Sequence, residues 1–152
     1  MNLYHGTYED IFDEIVGCGA IRNDIPSETT KEFDAILEEY LELNPRGNCV
    51  CLTGDIECVF VGYDIGFKVH SSNLNTNLLF VADIRLVEDI IGAHYSGECS
   101  REEITAMCRN FNDNIIPFDE YLTGKSIHSG RNLWELEFLY FDKIDLNNCE
   151  KI

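Results

Sequence analysis

The stretch LWELEFLYFD, residues 133–142, is the segment that most constrains the fold. Strand alternation sends every second side chain to the same face of a sheet. It places one apolar and aromatic set on a first face: Trp134, Leu136, Phe138 and Tyr140. The second face carries two carboxylates, Glu135 and Glu137, among apolar neighbours. A buried carboxylate is costly without a partner or water, so the pattern predicts either a wet cleft beside a central strand or an edge strand with its acids in solvent.

A second informative stretch is NLYHGT, residues 2–7. Residues 2–5 are predicted to form a short strand that ends beside Gly6. A lone histidine such as His5 is commonly a hydrogen-bonded structural residue, and that interpretation stays open. The glycine after it favours a binding role, because a residue without Cβ lets a ligand approach the backbone closely.

The remaining elements follow from periodicity and capping signals. The predicted helices are a stripe from Ile11 to Gly19, a second helix from Thr29 to Leu43 and a third over 100–110 with Ser100 and Glu103 as a capping box. Further strands are predicted at Cys49–Thr53 and 77–84. A turn is predicted from Asp24 to Ser27, and loops over 68–77 and 124–132. No βαβ rhythm, internal repeat or linker is visible. The sequence therefore predicts one α+β domain over residues 1–152.

The net charge is the most unusual bulk property. The chain has 28 acidic and 11 basic residues, which gives a formal charge of -17 at pH 7. Such a surface repels phosphate backbones, so we expect no direct nucleic-acid binding. It favours a basic protein partner, although solubility alone also explains acidity.

The seven cysteines contain no CxxC pair, so no zinc site is predicted and no metal is expected. We expect reduced, mostly buried thiols, as in a cytoplasmic protein. No apolar run reaches the roughly 18–20 residues needed to span a bilayer, so no membrane association is expected.

Three segments in order resemble the ADP-ribosyltransferase superfamily: LYHGT (3–7), CVCLTGDIECVFVGYDIG (49–66) and ELEFLYFDKI (135–144). The variety resembled carries a His–Tyr–Glu triad and includes poly-ADP-ribose polymerase-type enzymes and RNA 2′-phosphotransferases. The resemblance implies a split antiparallel β-sheet core with flanking helices, and NAD as co-substrate.

Residue roles follow from that resemblance, position by position. It implies that His5 holds a ribose hydroxyl of NAD, that Gly6 binds the nicotinamide amide through its backbone and that Thr7 lines the same pocket. Glu137 would bond the 2′-hydroxyl of the nicotinamide ribose and stabilise the oxocarbenium-like state. Glu135 is similar to the earlier acid of an ExE pair, which orients the acceptor in arginine-modifying relatives, although those relatives carry Arg and not His on the first strand.

One position departs from the pattern. The stacking tyrosine of these enzymes is replaced by Cys51, and a thiol cannot stack on nicotinamide as a phenol does. Tyr63 is near the position of a second family aromatic and would have to supply the stacking alone.

The leading functional prediction is an NAD-dependent mono-ADP-ribosyltransferase that modifies a side chain of a basic protein and releases nicotinamide. The alternatives are an NAD glycohydrolase, RNA 2′-phosphotransfer, and an acidic, non-enzymatic interaction protein or nucleic-acid mimic on a degenerate fold. Small acidic transferases of this kind occur among bacterial effectors and phage anti-CRISPR proteins, and VADIRLVEDII (81–91) is faintly similar to the latter group.

Overall fold

The structure is a computed structural model that describes residues 1–24 and 28–152, without the side chains of Glu28 and Thr29. It combines helices with an antiparallel sheet, so the predicted α+β class is confirmed. The helices are α1 (Glu9–Cys18), α2 (Glu28–Leu41), α3 (Ile56–Gly62), α4 (Ile84–Ser96), α5 (Arg101–Asp113) and α6 (Phe118–Leu122). The strands are β1 (Asn2–Thr7), β2 (Ala20–Ile21), β3 (Val50–Thr53), β4 (Ile65–His70), β5 (Leu79–Asp83), β6 (Ile116–Pro117), β7 (Leu136–Tyr140), β8 (Ile144–Asp145) and β9 (Cys149–Lys151).

Seven strands form one sheet in the order β6-β5-β7-β3-β1-β4-β9, and β2 pairs with β8 in a small second sheet. Strand β7 lies inside the large sheet, between β5 and β3, and all five of its residues are buried. The prediction of a central strand is therefore confirmed, and the edge-strand alternative is wrong.

The two faces of β7 enter different apolar layers. Leu136, Phe138 and Tyr140 pack into a core with β1, β4 and β5, whereas Leu139 packs with the layer formed by α2, α4 and α5. Glu137 shares the face of Leu139 because it is two residues away. The carboxylate therefore points toward the helical layer, which closes one side of the site described below.

Several predicted boundaries need correction. Strand β1 continues through the His-Gly-Thr segment to Thr7, because every residue from Asn2 to Thr7 pairs with β4. The last three residues of β4, 68–70, belong to a segment predicted as loop and are extended instead. The sequence around Thr7 and Asp10 resembles a capping arrangement for helix α1, but the N-cap is Tyr8 and no side chain caps the helix, so that interpretation is wrong. The predicted turn at Asp24–Ser27 extends over residues 25–27, which lie outside the described residues.

One local prediction is confirmed, and another is wrong. Ser100 Oγ accepts from the Glu103 amide at 3.1 Å, and the Glu103 carboxylate accepts from the Ser100 amide at 2.6 Å, which completes the capping box of α5. All seven cysteines are free, but only Cys49 and Cys108 are buried, so the expectation of mostly buried thiols is wrong. Among the helices of the described chain, none is long and apolar enough to cross a lipid bilayer.

Candidate functional site

The large sheet opens between β1 and β3. Only Tyr4 and Thr53 are paired across these two strands, although β1 pairs with β4 along its whole length. A cavity of about 310 Å³ lies where the strands separate. This volume is at the lower end of the roughly 300–1,000 Å³ typical of small-molecule sites.

Five of the seven residues singled out by sequence line this cavity: His5, Gly6, Cys51, Tyr63 and Glu137. They come from β1, β3, the position after α3, and β7, so segments from both ends of the chain meet at one place. The pairing of Thr53 with Glu137 fixes the position of the carboxylate along β3.

His5 bridges the opening of the sheet. Its Nδ1–H donates to the carbonyl oxygen of Cys51 at 3.1 Å. A carbonyl only accepts, so Nδ1 carries the proton and Nε2 of the neutral ring is an acceptor. Burial lowers the pKa of His5 below its ordinary value of 6.5, against the smaller opposing effect of the Cys51 carbonyl. At neutral pH the ring is therefore uncharged and can accept a hydrogen bond from a ligand hydroxyl.

Gly6 and Tyr63 form a second wall. The Tyr63 ring lies so close to Gly6 that a Cβ at Gly6 would be 2.1 Å from Tyr63 Cδ2. Tyr8 packs beside it, with 5.3 Å between the ring centroids, and both rings are partly exposed. Only glycine permits this arrangement, which places the Tyr63 ring in the wall of the cavity.

Glu137 is held by an arginine that the sequence analysis did not single out. Arg46 Nη2 donates to Glu137 Oε1 at 2.9 Å, and both residues are nearly inaccessible, at 4% and 9% exposure. Burial pushes the pKa of Arg46 down, but the charge of Glu137 and the contact with Cys51 outweigh it, so the pKa is raised and the guanidinium is charged. Glu137 Oε2 is buried and has no hydrogen-bond partner among the described residues.

Cys51 touches the same guanidinium, with 3.0 Å between Arg46 Nη2 and Cys51 Sγ. Cys49 Sγ lies 3.8 Å from Cys51 Sγ. The hydrogen bond with Cys49 and burial raise the pKa of Cys51 well above its ordinary value. Cys51 is therefore a neutral thiol that lines the cavity, without the thiolate a nucleophile needs.

Glu135 is not on the strand. Strand β7 begins at Leu136, and Glu135 ends a 3₁₀ turn in which its Oε2 accepts from the Asn132 amide at 3.0 Å. Its Oε1 pairs with Arg85 Nη1 at 2.8 Å. The expectation that Glu135 and Glu137 stand side by side on one strand face is wrong, because the turn directs Glu135 into a structural network outside the cavity. Thr7 is buried at the end of β1, opposite Ile65 of β4, and also lies outside the cavity.

Arg46 and Trp134 are among the lining residues that the sequence did not predict. Arg46 sits in a Pro-Arg-Gly loop between α2 and β3, a context that predicts a solvated side chain. Trp134 was assigned to the apolar face of the last strand, but it lies in the turn before β7, is half exposed and borders the cavity. In residues 1–24 and 28–152 no group of three or more His, Cys, Asp or Glu side chains is placed to hold a metal ion.

No protein-family model, curated protein or solved structure matches this chain. The fold and the cavity together define the class: an α+β protein whose sheet opens onto a cavity lined by the residues described above.

Proposed function

We propose that the chain is an NAD-dependent mono-ADP-ribosyltransferase that uses the cavity between β1 and β3. The observation that carries the proposal is that five residues from the three segments that resemble the superfamily, which lie far apart in the sequence, line one cavity.

The donors and acceptors in the cavity suit a nicotinamide riboside unit. The backbone of Gly6 can pair with the carboxamide, the Tyr63 ring can lie beside the nicotinamide ring, and His5 Nε2 can accept from a ribose hydroxyl. Glu137 Oε2, buried without a partner in the described structure, is available to accept from the 2′-hydroxyl. A ligand hydroxyl at that oxygen would remove the cost of an unpaired buried acceptor.

The chemistry is the cleavage of one glycosidic bond and the formation of another. The bond between C1′ and the nicotinamide nitrogen breaks, and its electron pair leaves with neutral nicotinamide. C1′ becomes electron-deficient, and the preplaced carboxylate of Glu137 stabilises that positive charge. A nucleophilic side chain of the acceptor then donates its electron pair to C1′ and loses a proton to solvent.

The acceptor that we propose is a basic protein. A net charge of -17 attracts a positively charged partner at long range and repels nucleic acid. The proposal places the reaction in the cytoplasm of the producing cell or of a host, where NAD is available.

The test measures nicotinamide release from NAD by the wild type, with and without a synthetic arginine-rich polypeptide. Mass spectrometry of the polypeptide detects the ADP-ribosyl group added to it, which is the label. We expect release and labelled polypeptide from the wild type, and a loss of about 100-fold or more for Glu137→Gln. The matched control is Glu102→Gln on the exposed first turn of α5, which should behave as the wild type. Equal rates for Glu137→Gln and the wild type would refute the proposal, and release without labelling would instead indicate an NAD glycohydrolase.

A specific observation supports a second candidate, an acidic interaction protein on the same fold. Glu137 is already neutralised by Arg46 and the stacking position holds Cys51, both of which suit a cavity that has lost catalysis. This candidate predicts that Glu137→Gln keeps partner binding, whereas charge reversal of exposed acids on α1, such as Asp13→Lys with Glu14→Lys, abolishes it.

A further inference from the structure

Arg46 lines the cavity, and its side chain is almost wholly buried. Its loop is shaped locally: the Arg46 amide donates to Asn44 Oδ1 at 2.9 Å, and the Gly47 amide donates to the Asn44 carbonyl at 3.1 Å. The turn directs the side chain inward, so that Arg46 is only 4% exposed. The guanidinium carbon lies 5.0 Å from the centre of the Phe33 ring, which supports it from the side of α2.

The guanidinium is thus fixed by three different neighbours: Phe33, Cys51 and Glu137. Each contact uses a different property, because Phe33 offers a π face, Cys51 a sulfur that accepts a hydrogen bond, and Glu137 a charge. A guanidinium held in this way is fixed in position, and its hydrogen bond fixes the position of the Glu137 carboxylate.

The ion pair is a poor device for stability alone. Arg46 Nε and Glu137 Oε2 are both buried and have no hydrogen-bond partner among the described residues. A buried pair with unsatisfied atoms is generally less stabilising than an apolar pair of similar volume. A functional reason for this pair is therefore favoured, and the unpartnered Oε2 points to a ligand group that completes it.

We propose that Arg46 is the positioning residue of Glu137: it anchors Oε1 and so leaves Oε2 oriented for the substrate hydroxyl. This inference rests on the proposed function and adds a residue that the proposed function does not itself require. Arg46 acts through the carboxylate, and the effect of removing it should fall on the chemical step more than on NAD binding.

The experiment compares steady-state nicotinamide release by the wild type, Arg46→Ala and Arg46→Lys. We expect kcat of Arg46→Ala to fall by about 100-fold, the cost of a misplacement of about 1 Å, with a much smaller change in KM. Arg46→Lys should be intermediate, because a single ammonium cannot reproduce the guanidinium fork. Guanidinium chloride at low millimolar concentration should restore part of the kcat of Arg46→Ala, and sodium chloride at the same concentration should not.

The matched control is Arg101→Ala, which removes another arginine stacked on an aromatic ring, that of Tyr40, at an exposed site on α5. It should leave kcat unchanged. Arg46→Ala with wild-type or higher kcat would overturn the inference, as would a loss of folded fraction with unchanged kcat per folded molecule. If Arg46→Ala does not fold, Arg46→Lys decides by the same criterion. A wild type that releases no nicotinamide would overturn the proposed function and this inference together, whereas an active wild type with an unaffected Arg46→Ala would overturn this inference alone.

Discussion

The contact between Gly6 and Tyr63 gives the sharpest structural prediction. An ideal Cβ at Gly6 would lie 2.1 Å from Tyr63 Cδ2 and 2.4 Å from Cγ. Carbon atoms pack at about 3.5 Å, so the Tyr63 ring in Gly6→Ala must withdraw by more than about 1 Å. Overpacking of this kind typically costs about 1–3 kcal/mol, and we expect about 1 kcal/mol because Tyr63 is 38% exposed and can swing outward.

The functional loss should be larger than the loss of stability. Tyr63 is the aromatic wall proposed for the nicotinamide ring, and a displacement of about 1 Å at such a site costs about 100-fold in rate. We therefore expect Gly6→Ala to remain folded, to unfold at slightly lower urea concentration and to lose nicotinamide release almost completely.

The assay is urea unfolding followed by circular dichroism, together with nicotinamide release, on a double-mutant cycle of Gly6→Ala and Tyr63→Ala. If the clash is with the ring, Gly6→Ala should cost little stability in the Tyr63→Ala background. Gly62→Ala is the matched control, since a Cβ there has nothing within 4 Å. A Gly6→Ala protein with wild-type stability and activity, or an equal loss of stability in both backgrounds, would refute the reasoning.

Three further predictions follow from the described contacts. Glu135→Gln should reduce the free energy of unfolding by about 1 kcal/mol, because the ion pair with Arg85 is lost, and should leave nicotinamide release unchanged; a loss of kcat comparable to that of Glu137→Gln would contradict the structural role. Burial lowers the pKa of His5, so below pH 6.5 the unfolded chain binds the proton more readily than the folded one, and stability should fall as pH falls through this range. His5→Asn should flatten that dependence in urea titrations at several pH values, and an unchanged slope would show that His5 does not contribute. Phe138→Ala removes a fully buried ring packed on Phe118 and should cost about 3–5 kcal/mol in thermal or urea unfolding, whereas a loss below 1 kcal/mol would contradict the core assignment.

Much of the fold could be predicted from local signals. The Ser100–Glu103 capping box and the alternation around Phe138 are each explained by short-range physical chemistry, and the structure confirms both. Strand β4 was missed because its residues are polar at one end, and only pairing with β1 along the whole strand makes them extended. That pairing is a long-range contact without a local signature.

The candidate site was also predictable only in part, because some of its residues lie in recognisable segments and others are placed by long-range contacts. His5, Gly6 and Glu137 belong to recognisable segments, whereas Arg46 lies in a loop whose composition predicts exposure. Its burial depends on the space beside Cys51 and on the charge of Glu137, which are set only once β3 and β7 have paired. Glu135 was misplaced because the alternation of β7 was extended through a 3₁₀ turn that its own cap to Asn132 stabilises.

The most direct test of the central claim is isothermal titration calorimetry of NAD into the wild type and His5→Ala, with nicotinamide release recorded on the same samples. The account predicts saturable binding by the wild type at one site per chain and markedly weaker binding by His5→Ala, which lacks the imidazole ring and its Nε2 acceptor. No measurable binding of NAD to the folded wild type, or equal affinities for the two proteins, would contradict the claim that the cavity between β1 and β3 is an NAD site.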